Sequence, residues 1–211
     1  TDLMESLLNV SGTLARSRAN GPGTRAVIWV QGCTIGCKGC FSSLTHQHNA
    51  NNLIEPTILA EWVSSIEGIE GVTVSGGEPF EQSAAVAELL ACIRDQNPDL
   101  SVFVYSGYTH EKLQSSKDEY VQNLLEQIDL LCAGPFIQSL ASESLLWRGS
   151  SNQELVYLSG FYDNSMESEW LQQSPIEEYH LDGKVLIHTG FNGKSGKGLE
   201  VISRALPMNQ R

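Results

Sequence analysis

The strongest constraint on the fold is a unit of strand, loop and helix that recurs along the middle of the chain. Ala26–Gln31 (AVIWVQ) is β-branched and aromatic, with the turn GPGTR before it and a cysteine loop after it, and reads as a buried strand. Pro56–Gly68 then places apolar residues at helical spacing, with Pro near its start and Gly at its end. The unit repeats: GVTVSGG predicts a strand, and Gln82–Asn97 an amphipathic helix stopped by Pro98. Ser101–Tyr105 predicts a third strand, the stretch from Thr109 to Ile128 further helix, and Leu130–Ala133 a strand ended by Gly134 and Pro135. Such alternation predicts an α/β fold whose mainly parallel sheet is wrapped by helices.

From about Gly160 the character changes. An acidic stretch (YDNSMESEW) precedes a strand-like piece at Lys184–His188. The expected division is a core over residues 1–158 and a C-terminal appendage over 159–211, packed on it.

At 211 residues the chain can bury a core without disulfides. Thirteen Lys and Arg against 25 Asp and Glu leave a formal charge of −12, which repels phosphate backbones and anionic lipid, so neither nucleic acid nor membrane is expected as a partner. No stretch approaches the ~20 apolar residues of a membrane span, and TDLMESLLNV lacks the basic flank of a signal peptide. The expected location is the cytoplasm.

Of the five cysteines, three fall within eight positions: Cys33, Cys37 and Cys40. That clustering suits a metal better than a disulfide framework. Three thiolates on one loop leave a coordination site open, as a catalytic cluster requires. A zinc site completed by His46, His48 or a distant cysteine, in a module that docks a basic partner, is the rival reading. Val72–Val74 runs into Ser75, Gly76, Gly77, Glu78 and Pro79, which presents a carboxylate just beyond a strand's carboxyl end, where parallel sheets gather ligands. Such a carboxylate can accept hydrogen bonds from a cationic amino group.

CTIGCKGC followed by SGGEPF resembles the radical S-adenosylmethionine enzymes. NGPGTRAVIWVQGC, VFVYSGYTHEKL, AGPFIQ and LLWRGSSNQ extend the likeness to the activating proteins of anaerobic ribonucleotide reductase, over roughly Asn20 to Leu158. The resemblance implies a partial (β/α) barrel and a [4Fe–4S] cluster held by Cys33, Cys37 and Cys40. It further implies S-adenosylmethionine gripped by its amino group at Ser75, Gly76, Gly77 and Glu78. The implied activity is reductive cleavage of that cofactor to a 5′-deoxyadenosyl radical, which takes hydrogen from a glycyl radical enzyme. A low-potential electron donor is implied as a second partner. Gly39 stands where many members of the wider family carry an aromatic residue, which agrees with the activating branch. The tail after Leu158 exceeds a minimal activating protein, and leaves open a peptide or small molecule as the target.

Further candidates are weaker. Ser106 and Gly107 are placed to meet the cofactor's ribose or carboxylate, or to form a plain turn. Arg148 is placed to meet the cofactor carboxylate or a substrate backbone, and Trp147 reads as core packing. By the resemblance, the turn before Arg25 borders a substrate channel; otherwise Arg25 is a solvated side chain. Lys38, between two ligands, favours a reduced cluster or faces water. Cys92 and Cys132 read as core thiols, and His46 and His48 as surface. His110, His180 and His188 carry no partner pattern.

Overall fold

The protein's structure, a computed structural model, describes residues 7–142, 144–173, 177–182 and 185–190. In chain order the elements are β1 (Leu8–Ser17), β2 (Arg25–Val30), β3 (Asn52–Ile54), α1 (Pro56–Ser64), β4 (Gly71–Gly76), α2 (Ser83–Gln96) and β5 (Ser101–Ser106). They continue with α3 (His110–Gln114), α4 (Glu119–Leu125), β6 (Leu130–Ala133), β7 (Glu154–Tyr157), α5 (Glu167–Gln173), β8 (Glu177–Asp182) and β9 (Val185–Gly190).

Seven strands form one sheet in the order β3-β1-β2-β4-β5-β6-β7. Its centre, β2, β4, β5 and β6, is parallel, as the repeating unit predicts. Both edges are antiparallel: β1 pairs with β2 and β3, and β7 with β6. The sheet is therefore mixed. The edge strands are polar or short, so they carry no apolar run from which to be read.

Every residue of β2 is buried, which requires cover on both faces. Ala26, Ile28 and Val30 join Val72, Val74, Val102 and Val104 in packing against the helices, where Leu59, Val63, Leu89, Leu90 and Ile93 meet them. Val27 and Trp29 point the other way, as do Phe103 and Cys132 on β5 and β6. Burying a large apolar side chain contributes roughly 1.5–3 kcal/mol, so this two-sided filling is the main stabilising term.

Helix boundaries depart from expectation in two places. α1 ends at Ser64, four residues before Gly68, which turns the chain with a φ of +72°. The helix expected from Thr109 to Ile128 is two short helices, because Thr109 and Asp118 each cap a new start: the Thr109 hydroxyl accepts from Lys112 N and the Asp118 carboxylate from Tyr120 N.

Arg25 is not solvated. It is fully buried and donates to Thr73 Oγ1, the Pro22, Val72 and Ser101 carbonyls, Ser101 Oγ and Tyr162 Oη at 2.8–3.3 Å. Its Cβ-to-guanidinium arm ties the amino ends of three parallel strands to the segment after β7. Arg25→Ala strips a donor from several buried acceptors, an expected loss of roughly 3 kcal/mol, or a drop of about 6–12 °C in melting temperature. Thermal unfolding followed by circular dichroism checks this, and an unmoved midpoint would remove Arg25 from the framework.

Beyond β7, Trp170 of α5 packs on Trp147, which itself meets Phe103 edge-on. β8 and β9 form a separate antiparallel hairpin. The expected strand at Lys184–His188 is β9, shifted slightly towards the carboxyl end; residues 191–211 of the expected appendage lie outside the described residues.

Candidate active site

The loop after β2 carries Cys33, Cys37 and Cys40, all unpaired and half-buried. It is held on two sides. Gly32 N and Cys33 N donate to the carbonyls of Thr45 and His46 at 2.7 and 3.1 Å. On the other side Gly77 N donates to Val30 O and Glu78 N to Gly32 O, both at 2.8 Å, so the loops after β2 and β4 are joined backbone to backbone. Glu81 adds a side-chain link, accepting from Thr34 N at 2.9 Å and from the Thr34 hydroxyl.

This contact explains the glycine pair in SGGE. Gly76 has a φ of +96°, and a Cβ there would lie 2.6 Å from Val30 O; a Cβ on Gly77 would strike Gly32 O. The glycines let the two loops touch. Glu78, by contrast, faces inward: it is 1% exposed, and its carboxylate accepts from Phe80 N at 3.0 Å, Ser106 Oγ at 2.9 Å and Gly107 N at 2.8 Å. Burial pushes its pKa up to about 7, against the lowering by those three donors. Among the described residues no cationic side chain stands against it.

One pocket takes in Cys33, Cys37, Cys40, Ser75, Gly76, Gly77, Glu78, Ser106 and Gly107. The structure thus brings together every predicted site residue except Arg148. Arg148 lies 3.5 Å from Glu167 and is not part of the lining. It follows Trp147, which is 4% exposed and holds a φ of +50°, an unusual conformation for a bulky residue. Lys38 is exposed and also off the lining.

Several lining residues escape sequence reasoning. Ile35, Phe41, Tyr105, Phe136, Gly149 and Gln153 contribute to the wall, and Phe41 and Phe136 meet edge to face at 5.0 Å. The signal was present: Phe136 lies in AGPFIQ, and Gly149 and Gln153 in LLWRGSSNQ. His46 also lines the pocket instead of standing on the surface, and burial lowers its pKa. Cys92 is half-buried on α2 instead of fully in the core, whereas Cys132 is fully buried.

The donor set suits a cluster. Burial raises the pKa of Cys33 and pushes that of Cys40 up to about 11, so each keeps its proton until a metal displaces it. Among the described residues no three His, Cys, Asp or Glu side chains gather on one point as a single ion needs. The thiols instead share a wall, which fits a cubane whose cysteines take different irons. The buried, uncompensated carboxylate of Glu78 fits a cationic group beside that cubane.

A protein whose mixed sheet has a parallel centre, with three thiols and a carboxylate around one strand-end pocket, belongs to the class that carries a single iron–sulfur cluster. The chain matches the family described as a 4Fe-4S single cluster domain over residues 19–156. It is 37% identical over 140 residues to the anaerobic ribonucleoside-triphosphate reductase-activating protein of Vibrio cholerae, covering 64% of this chain and 88% of that protein. The same-named protein of Escherichia coli K12 is 30% identical over 145 residues, 66% of this chain and 92% of that protein. The one from phage T4 is 28% identical over 140 residues, 64% and 85% of the two chains. The chain belongs to the family of anaerobic ribonucleoside-triphosphate reductase-activating proteins.

Proposed function

We propose that this chain is a radical S-adenosylmethionine enzyme that activates a glycyl radical enzyme, as its relatives' name states for anaerobic ribonucleoside-triphosphate reductase. The observation that carries the reading is the meeting of Cys33, Cys37, Cys40 and Glu78 in one pocket. A [4Fe–4S] cluster held by Cys33, Cys37 and Cys40, with S-adenosylmethionine beside it at Glu78, would supply the one-electron reductive cleavage whose radical product takes hydrogen from the partner.

The chain's own residues bind and orient. Cys33, Cys37 and Cys40 would supply the three thiolate ligands of the cluster. Glu78, kept in place by Ser106 and Gly107, receives the cofactor's ammonium; Gly76 and Gly77 bring this carboxylate close to the cluster loop. Ser75 completes that segment, and Arg148, engaged with Glu167, is left without a part in it. Phe41, Phe136 and Ile35 exclude water and stray hydrogen donors from the pocket.

Residues 1–158 form the catalytic core in this reading, shaped as a partial (β/α) barrel, and residues 159–211 an extension. Contacts from Glu178 and Thr189 to residues 17–20 support docking of the extension on the core. The exposed side of the cysteine loop, with Lys38, is the approach for a low-potential electron donor. Among the described residues no helix is long and apolar enough to cross a membrane; with a charge of −12 the reading places the protein in the cytoplasm, away from nucleic acid and membranes. A second reading, modification of a peptide or small molecule, draws on Gly190 of the extension, which lines the pocket.

Anaerobic reconstitution with iron and sulfide tests the proposal. The expected product is brown and, once reduced, forms 5′-deoxyadenosine and methionine in equal amounts. Mixed with an anaerobic ribonucleoside-triphosphate reductase, it should leave a glycyl radical detectable by electron paramagnetic resonance. A colourless protein that binds zinc and forms no 5′-deoxyadenosine would overturn the enzyme reading; cleavage without a radical on the reductase would turn attention to the second target.

A further inference from the structure

Trp29 is 1% exposed, and its indole N–H is buried without an acceptor among the described residues. A buried donor left unmet is costly and rare, so it calls for an explanation. Trp29 lines the pocket from one residue short of the end of β2, in register with Ser75. Its surroundings are neutral: Asn20 from the loop before β2, Tyr105, and Gly190 at the end of β9 also line the pocket.

Asn20 is fixed between the sheet and the hairpin. Its carbonyl accepts from Thr73 Oγ1 at 2.8 Å, and its side-chain amide donates to Ser17 Oγ at 2.8 Å and Thr189 Oγ1 at 2.9 Å. Glu178 clamps the same loop, accepting from Ser17 Oγ at 2.6 Å, Arg18 N at 2.9 Å and Ala19 N at 3.1 Å. The hairpin is therefore fastened beside the pocket, with Gly190 in its wall.

Charge decides what fits there. Among the described residues no Lys or Arg lines the pocket, so a substrate phosphate would find no side-chain counter-charge. A peptide backbone is neutral and rich in carbonyl acceptors. The thiols and Glu78 come from the loops that follow β2 and β4, which leaves the wall of Trp29, Asn20 and Gly190 to the group that gives up hydrogen. We infer that Trp29 donates its indole N–H to a backbone carbonyl of the substrate polypeptide, in a subsite walled by Asn20 and by the hairpin end at Gly190. This rests on the activase reading and adds to it a recognition residue and a role for the hairpin.

The test uses the full chain with its cluster, and acetyl-pentaglycine-amide as a backbone-only probe in calorimetry, with cytidine triphosphate as an anionic control. Trp29→Phe keeps the ring and removes the N–H; the peptide should bind about five- to tenfold more weakly. Thr189→Val, which loosens the hairpin from Asn20, should weaken it by roughly threefold by the same measure. The affinity for S-adenosylmethionine should move less than about twofold in either. Equal weakening of cofactor and peptide in Trp29→Phe, no peptide binding to the wild type, or displacement of the peptide by the nucleotide would each overturn the inference. If Trp29→Phe fails to fold, unchanged peptide affinity in Thr189→Val overturns it alone. Failure of the wild type to form 5′-deoxyadenosine is a separate result, which strikes the activase reading itself.

Discussion

Alanine at Cys33, Cys37 or Cys40 is expected to reduce cofactor cleavage at least about 100-fold, more than the loss typical of disturbing a group that merely orients a ligand. The three thiols line one pocket, and no fourth cysteine stands with them: Cys92 is on α2 and Cys132 is buried in β6. Cys92→Ala should therefore retain near-normal cleavage and iron content. Iron and sulfide analysis with 5′-deoxyadenosine formation on the four variants checks this. Equal loss in Cys92→Ala would contradict the ligand set.

The second large effect belongs to Glu78→Gln. The amide removes the charge that meets an ammonium and puts an NH2 group among donors, since Ser106 Oγ, Phe80 N and Gly107 N all point at the present carboxylate. A hydrogen bond to a charged group is worth about 1.5–3 kcal/mol, so cofactor affinity should fall roughly 10- to 100-fold. The wild type should also show a pH dependence. A carboxyl whose pKa is about 7 is ionised above that value and protonated below it, so affinity for an ammonium is kept above pH 7 and lost as pH falls through 7, approaching tenfold per unit. Equilibrium binding of S-adenosylmethionine from pH 5.5 to 8.5 measures it. A flat profile, or a variant with unchanged affinity, would remove Glu78 from the cofactor's amino end.

Legibility in the sequence followed burial. β2, β4, β5 and β6 are central and apolar, and their runs announced them; β6 was read to the residue at Leu130–Ala133. β1, next to the edge, carries no apolar run, because LNVSGTLARS mixes polar and apolar side chains; β7 at the opposite edge opens on an exposed glutamate and is only partly buried, so ELVY does not stand out as β6 does. The site divided in the same way. Cysteines at close spacing and a glycine-rich strand end declare themselves locally, whereas Trp29, Phe136 and Gln153 are ordinary residues that acquire a shared wall only when distant segments meet. Arg25 was misjudged because a charge next to a glycine turn looks solvated; only the convergence of Pro22, Val72, Thr73, Ser101 and Tyr162 shows how it is buried.

The backbone junction at Val30, Gly32, Gly77 and Glu78 gives metal loading and cofactor capture a common mechanical element. Because the loop that would carry the iron and the loop that carries the carboxylate are fastened to each other, ordering either one lowers the conformational entropy still to be lost by the other. Such coupling is reciprocal in binding free energy: protein without its iron is expected to bind the cofactor more weakly, and bound cofactor to raise the affinity for iron. The glycines that permit the contact therefore do more than make room; they let one half of the site sense whether the other is filled.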